Sequence, residues 1–399
     1  MSRARGFSGG VFVLVLLAGF AGLGWAQEKK DPPAGPKIQV ALLLDTSNSM
    51  DGLIDQARTQ LWKIVSEFTT LKLGGKTPQL EVALYEYGND GLPAAEHFVR
   101  LVVPLMGDLD KVSEALFALR TNGGNEFCGR AIDCATRQLT WSESSKDIKC
   151  IFIAGNEPFS QGDFDYREAC KAAAAKGVTI NTIFCGSLDE GLQTHWQDGA
   201  KLADGQFLCI DQDQQVAAAP APQDKELAQL GAELNGTYLP YGKVKEREEA
   251  FQRQAAQDAN AAQSIAGVAA ARVVVKASSM YRNADWDLVD ALHEGKIKLE
   301  SLQEDQLPDA LRPLKPAERQ AFVDKVAAER RKLQARIANL NEARKVYLAE
   351  QDKKLQEQRR VLAAQAPGGG AGAAAMPAAP APAFERAVID AVQAEAAKK

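Results

Sequence analysis

Much of what usually marks a catalytic chain is missing from these 399 residues. Histidine occurs only at His97, His195 and His293, far apart, and no cysteine pair has the C-x-x-C spacing of a zinc ligand set. No G-x-G-x-x-G follows the first apolar run, no phosphate-binding P-loop occurs, and no G-x-S-x-G marks a hydrolase elbow. Dinucleotide, nucleotide and serine-hydrolase chemistry therefore lack their usual carriers, and the reading is of a non-enzyme. Long basic runs are absent too. With 47 Lys and Arg against 52 Asp and Glu the net charge is −5, which argues against nucleic acid as a partner. No segment past the N-terminus approaches the roughly 20 apolar residues that a spanning helix needs.

What is present begins with Arg3 and Arg5, an unbroken apolar run from Val11 to Phe20, and Gly24-Trp25-Ala26, the make-up of a secretory signal peptide over residues 1–26. Its removal leaves 45 basic and 52 acidic side chains, a charge of about −7. The mature protein is expected to be exported, periplasmic or secreted, with no stable membrane span after cleavage. No Cys near the cut offers a lipid attachment atom.

After a Lys/Pro/Gly linker (27–37), short runs rich in Val, Ile and Leu alternate with helix-period segments. The runs are 38–44, 80–87, 98–105, 149–154, 178–185 and 206–210. The helical segments are 53–70, 109–119, 129–139, 164–176 and 192–203. Runs apolar throughout suit strands covered on both faces. The fold class is α/β, a doubly wound, mostly parallel sheet over 38–242, with 98–105 antiparallel after a hairpin at Asn89-Asp90-Gly91. Trp62, Trp141 and Trp196 read as helix–sheet packing.

Beyond Gly242 the texture changes to an α-helical, partly coiled-coil C-terminal region. A helical region covers 243–315, and a long polar helix 316–364. Along it Val323, Val326, Arg330, Leu333, Ile337, Leu340, Arg344 and Tyr347 repeat at three-four spacing. Two Arg interrupt that seam, so it forms either a coiled coil or a helix folded back on its neighbour. An Ala/Pro/Gly linker (365–383) and a short amphipathic helix (384–399) with Phe384, Val388, Ile389 and Val392 on one face end the chain.

The residues with most chemical content follow the first strand, where Asp45, Ser47 and Ser49 form D-x-S-x-S at a strand-to-helix turn. A carboxylate and two hydroxyls at alternate positions of a tight loop can converge on a small hard cation, which prefers oxygen ligands. The carboxyl edge of a doubly wound sheet is also where ligands bind. The alternative is a helix cap at Ser49. The motif and the strand order together resemble the von Willebrand factor type A (VWA) domain and its metal-ion-dependent adhesion site (MIDAS), in an exported bacterial form. The resemblance covers residues 38–241.

It implies that Asp45, Ser47 and Ser49 are the first-loop ligands. In the family the second loop gives a Thr after paired glycines. Here Gly123-Gly124 is followed by Asn125 and Glu126, either of which can replace it. The third loop gives an Asp, and here Asn156 stands in its place. The implied ion is Mg²⁺, with Mn²⁺ or Ca²⁺ as alternatives, bound weakly or not at all where ligand charge is lost. The implied function is metal-dependent protein binding in adhesion or complex assembly, a partner's acidic side chain filling the open coordination position. The competing reading is a metal-independent scaffold that self-associates through its C-terminal helices.

Cys128, Cys134, Cys150, Cys170, Cys185 and Cys209 are disulfide candidates in an exported chain, with 15 pairings open. A bridge among Cys128, Cys185 and Cys209 would brace the binding face. The alternative is several buried free thiols.

Overall fold

The first apolar run is the axis of the fold. β1 (Lys37–Asp45) is buried from Ile38 to its end, because strands flank both its edges and helices cover both its faces. The computed structural model describes residues 35–211, 220–265, 267–365 and 384–399. The signal-peptide segment 1–26 and nearly all of the linkers 27–37 and 365–383 lie outside the described residues.

From β1 the chain runs through α1 (Asp51–Phe68), β2 (Gln79–Tyr87), β3 (Val99–Met106), α2 (Leu109–Ala118), α3 (Cys128–Gln138), β4 (Ile148–Gly155), α4 (Tyr166–Ala175), β5 (Thr179–Cys185), α5 (Leu188–Gln193), α6 (Trp196–Lys201) and β6 (Phe207–Ile210). The sheet order is β3-β2-β1-β4-β5-β6, and β3 pairs antiparallel with β2 while the other pairs are parallel. Alternate strand residues feed two cores. Leu42, Leu44, Phe152 and Ile183 meet α1 and α2, whereas Leu43, Tyr85, Ile153 and Phe184 meet α3, α4 and α6.

Two local readings need correction. The β2–β3 connection spans residues 88–98 with a 3-10 turn at Ala94–Glu96, so Asn89-Asp90-Gly91 does not close a tight hairpin. Asn89 instead accepts from the Gly91 N–H and donates to the Arg120 carbonyl, binding its loop to residues 119–127. The helix expected over 192–203 breaks at His195, whose φ is 70°. There the Thr194 carbonyl accepts from the Phe159 N–H.

The later helices are α7 (Asp224–Asn235), α8 (Val244–Gln263), α9 (Val268–Lys276), α10 (Leu288–His293), α11 (Pro316–Gln365) and α12 (Phe384–Ala397). They pack on the sheet domain. α9 lies on α1, and the Arg272 guanidinium stacks over Trp62 at 4.2 Å. The coiled-coil seam of α11 is filled from within the chain as far as Arg344. Leu333 and Ile337 are buried, Arg330 bonds Asp287, Asp290 and Thr237, and Arg344 bonds Asp224 at 2.6 Å. The two Arg that interrupt the apolar repeat are thus the residues that anchor the helix.

α12 lies against α1, β4 and β5. Phe384, Val388, Ile389 and Val392 are buried, and each such side chain contributes about 1.5–3 kcal/mol on burial. The N–H groups of Phe384 and Glu385, which the first turn of the helix cannot satisfy, donate to the side-chain carbonyls of Gln56 and Gln60 on α1 at 3.1 and 2.9 Å. Among the described residues no helix is long and apolar enough to cross a membrane.

Candidate metal centre

Asp45 ends β1 at the carboxyl edge of the sheet and is fully buried. The chain turns sharply there, and the Ser47 N–H donates to Asp45 Oδ1 at 2.8 Å. Ser47 Oγ lies 3.2 Å from Ser49 Oγ, which in turn meets the Asn156 side-chain amide at 3.2–3.4 Å. The first and third loops are therefore joined through the residues the motif names. The second loop is held alongside, since Asn122 N–H donates to the Thr46 carbonyl at 2.9 Å and Asp90 N–H to the Gly123 carbonyl at 2.5 Å.

Within the second loop the two candidates separate. Asn125 is exposed, whereas Glu126 is buried, with Ser47 among the groups that oppose the rise of its pKa. Its own N–H donates to Gln161 Oε1 at 2.6 Å. Space for the acids comes from bare backbone. A Cβ on Gly88, whose φ is +78°, would lie 2.7 Å from both Asp45 Oδ1 and Glu126 Cγ. A Cβ on Gly155 would lie 2.6 Å from the Tyr87 hydroxyl and 3.0 Å from Asp45 Oδ2. Below them the Tyr87 hydroxyl donates to the Ala154 carbonyl at 2.9 Å and meets Cys128 Sγ at 3.7 Å. Gly88, Gly155 and Tyr87 escaped the sequence reading. Their signal is weak: a Gly directly after an apolar strand, on two of the three loops.

Electrostatically the site is short of positive charge. Burial pushes Asp45 up to about 8, with Glu126 and Glu157 adding to the rise and Ser47 opposing it. Burial likewise pushes Glu126 up to about 7, with Glu157 adding. Asp45 Oδ2 is buried and has no hydrogen-bond partner, and among the described residues no Lys or Arg pairs with Asp45, Glu126, Asp90 or Glu157. An orphaned buried carboxylate oxygen costs about 1–3 kcal/mol or more unless something satisfies it. Side chains of Asp45, Ser47, Ser49, Glu126 and Asn156 offer oxygen donors only, which fits a hard divalent cation. The carboxylate that Asn156 lacks is restored by Glu126, so the set still carries two.

The cysteines do not brace this face. All six are free thiols. Strand register explains why Cys185 and Cys209 do not meet. Cys185 lies opposite Ile210 and Cys209 opposite Phe184, so the two sulfurs belong to opposite faces of the sheet. Cys128 shares the Cys209 face but sits beneath Asp45 on α3.

Comparison with known families agrees with this architecture. Residues 39–195 match the von Willebrand factor type A domain, a family of protein-interaction and adhesion modules that are generally non-catalytic. The chain thus contains a VWA domain, with a mostly parallel six-stranded sheet flanked by helices and a long C-terminal helix after it. Among solved structures it is similar to BatB from Bacteroides thetaiotaomicron (18% identity, 44% of this chain and 90% of that one, TM-score 0.34). It is also similar to the SpRpn10 VWA domain (19%, 45% and 90%, 0.34). A third is proximal thread matrix protein 1 from the mussel byssus, with a zinc-occupied MIDAS motif (12%, 45% and 43%, 0.33). No curated protein matches the sequence.

Proposed function

We propose that the chain is an exported binding protein whose VWA domain captures a partner protein through a divalent cation, Mg²⁺ with Mn²⁺ or Ca²⁺ as alternatives. Asp45, Ser47, Ser49, Glu126 and Asn156 would hold the ion. Bound there, it supplies a Lewis-acidic position for an oxygen of the partner, which in the family pattern is a carboxylate. In this reading residues 38–242 are the binding domain and 243–399 its helical support. The observation that carries it is Asp45 Oδ2, buried and unpartnered among oxygen donors and acids, with no Lys or Arg paired to Asp45 among the described residues. Partner capture by the whole chain, in Mg²⁺ and in EDTA, tests it against Asp45→Ala. Capture that is indifferent to both EDTA and the substitution would defeat the metal-dependent reading.

The scaffold reading keeps one supporting observation. Past Lys345, α11 turns Val346, Leu355 and Val361 to solvent. Light scattering decides it, since a monomeric mass at high concentration leaves no self-assembly to explain.

A further inference from the structure

The edge that carries Asp45 is acidic beyond the needs of a cation. Residues 45–51 hold two Asp or Glu, 88–98 two, 119–127 one, 156–165 three, 186–195 two, and position 211 another. Against these eleven carboxylates the same stretches hold one Lys or Arg, Arg120. Its guanidinium donates to the carbonyls of Phe117 and Leu119. Arg130 and Arg167, in the first turns of α3 and α4, reach Asp163 and Asp165. Among the described residues Asp90, Glu126, Glu157, Asp189 and Glu190 have no ion pair.

Apolar surface adjoins this charge. Leu188 and Leu192, 58% and 41% exposed, stand one turn apart on α5. α5 is tied to the third metal loop, because Thr194 accepts from the Phe159 N–H at 2.9 Å and Trp196 Nε1 donates to the Glu157 carbonyl at 2.8 Å. Two leucines open to solvent on the same edge of the sheet as Asp45, flanked in the chain by Asp189 and Glu190, make an apolar patch within an acidic surface, the anatomy of an interface.

We infer, on the metal-binding reading above, that the partner face is basic. It presents Lys or Arg to Glu157, Asp90 and Glu190, an apolar group to Leu188 and Leu192, and to the cation a neutral hydroxyl or carbonyl oxygen in place of a carboxylate. Asp45 and Glu126 already give the ion two carboxylates. A third, brought by a partner, would approach through Glu157 and Asp90, which pair with no Lys or Arg among the described residues. Like charges facing one another across an interface exclude a partner, and opposite charges speed its encounter.

Fluorescence anisotropy with the full chain in Mg²⁺ compares two short labelled peptides that share a Leu and a Ser and carry either Lys or Glu elsewhere. The Lys peptide is expected to bind at least about tenfold tighter. Replacing Leu188→Ala with Leu192→Ala should weaken it about threefold or more. A Glu peptide that binds as well or better, with Mg²⁺ promoting it, overturns the inference and leaves the metal reading standing. Lys-peptide binding indifferent to the two leucine changes and to Glu157→Gln with Asp90→Asn also overturns it, since the attraction would then lie elsewhere on the chain. A calorimetric Mg²⁺ titration without heat, together with no thermal shift, overturns the metal reading and the inference with it, by a route the peptides do not enter.

Discussion

Two groups of buried and half-buried acids in this molecule differ in one respect. Behind the sheet, Asp110 and Asp258 are surrounded by cations: Arg272 bonds both at 2.6 Å, Lys276 bonds Asp258 at 2.7 Å, and the Tyr281 hydroxyl donates to Asp110 at 2.6 Å. At the carboxyl edge, Asp45 and Glu126 are as deeply placed, yet glycines, serines and further acids surround them. The first group is internally satisfied and joins α2, α8 and α9 into one body. In the second, Asp45 Oδ2 has no hydrogen-bond partner and, among the described residues, no Lys or Arg pairs with either acid. On the proposed reading, the acids that the fold leaves without a basic partner are where an ion from outside the chain would bind.

The largest effect should come from breaking the satisfied group. Arg272→Met leaves Asp110 and Asp258 without their shared cation and removes the contact over Trp62, so urea unfolding should show a loss of about 3–5 kcal/mol. A loss below about 1 kcal/mol would mean that the rear cluster is not the structural counterpart described here.

Acid and base should separate the two groups next. The folded-state pKa values of Asp45 and Glu126 are raised, so their stabilising contribution is full below the ordinary carboxylate range and is lost as pH rises through about 7 and 8. The metal-free chain is expected to lose stability steadily between roughly pH 5 and 8.5, most of it through Asp45. Saturating Mg²⁺ should recover this loss, more at the higher pH, because the ion takes the ionised acids. Melting curves with EDTA and with Mg²⁺ that run parallel across this range would contradict it.

A smaller effect sharpens the same contrast. Asn156→Asp adds a third carboxylate to the ligand set, and Mn²⁺ affinity should rise about tenfold by calorimetry. No change would place Asn156 outside the coordination sphere.

Much of the fold could be read from the order of apolar runs, because strands covered on both faces lack polar alternation and stand out between helices. The first loop was legible for a related reason: Asp45, Ser47 and Ser49 lie within five residues and need no tertiary contact to be brought together. Glu126 and Asn125 could not be told apart from sequence, since burial of one depends on the bare backbone of Gly88 two elements away. Arg330 and Arg344 looked like flaws in an apolar seam because their partners, Asp287, Asp290 and Asp224, lie 40 to 120 residues away in the chain. The cysteines misled for want of register: one residue of offset between β5 and β6 puts Cys185 and Cys209 on opposite faces. Burial of 384–399 on α1 was likewise beyond periodicity, which finds an apolar face without saying what covers it.

The claim that the unpaired acids form a cation site meets its most direct test in calorimetric titration of Mn²⁺ into the whole chain at about pH 8, beside Asp45→Asn, which keeps the shape of the side chain and removes its charge. One ion per chain, with heat lost in the variant and a free variant no less stable than the parent, is the expected result. No binding by the parent, or equal binding by both, would contradict it.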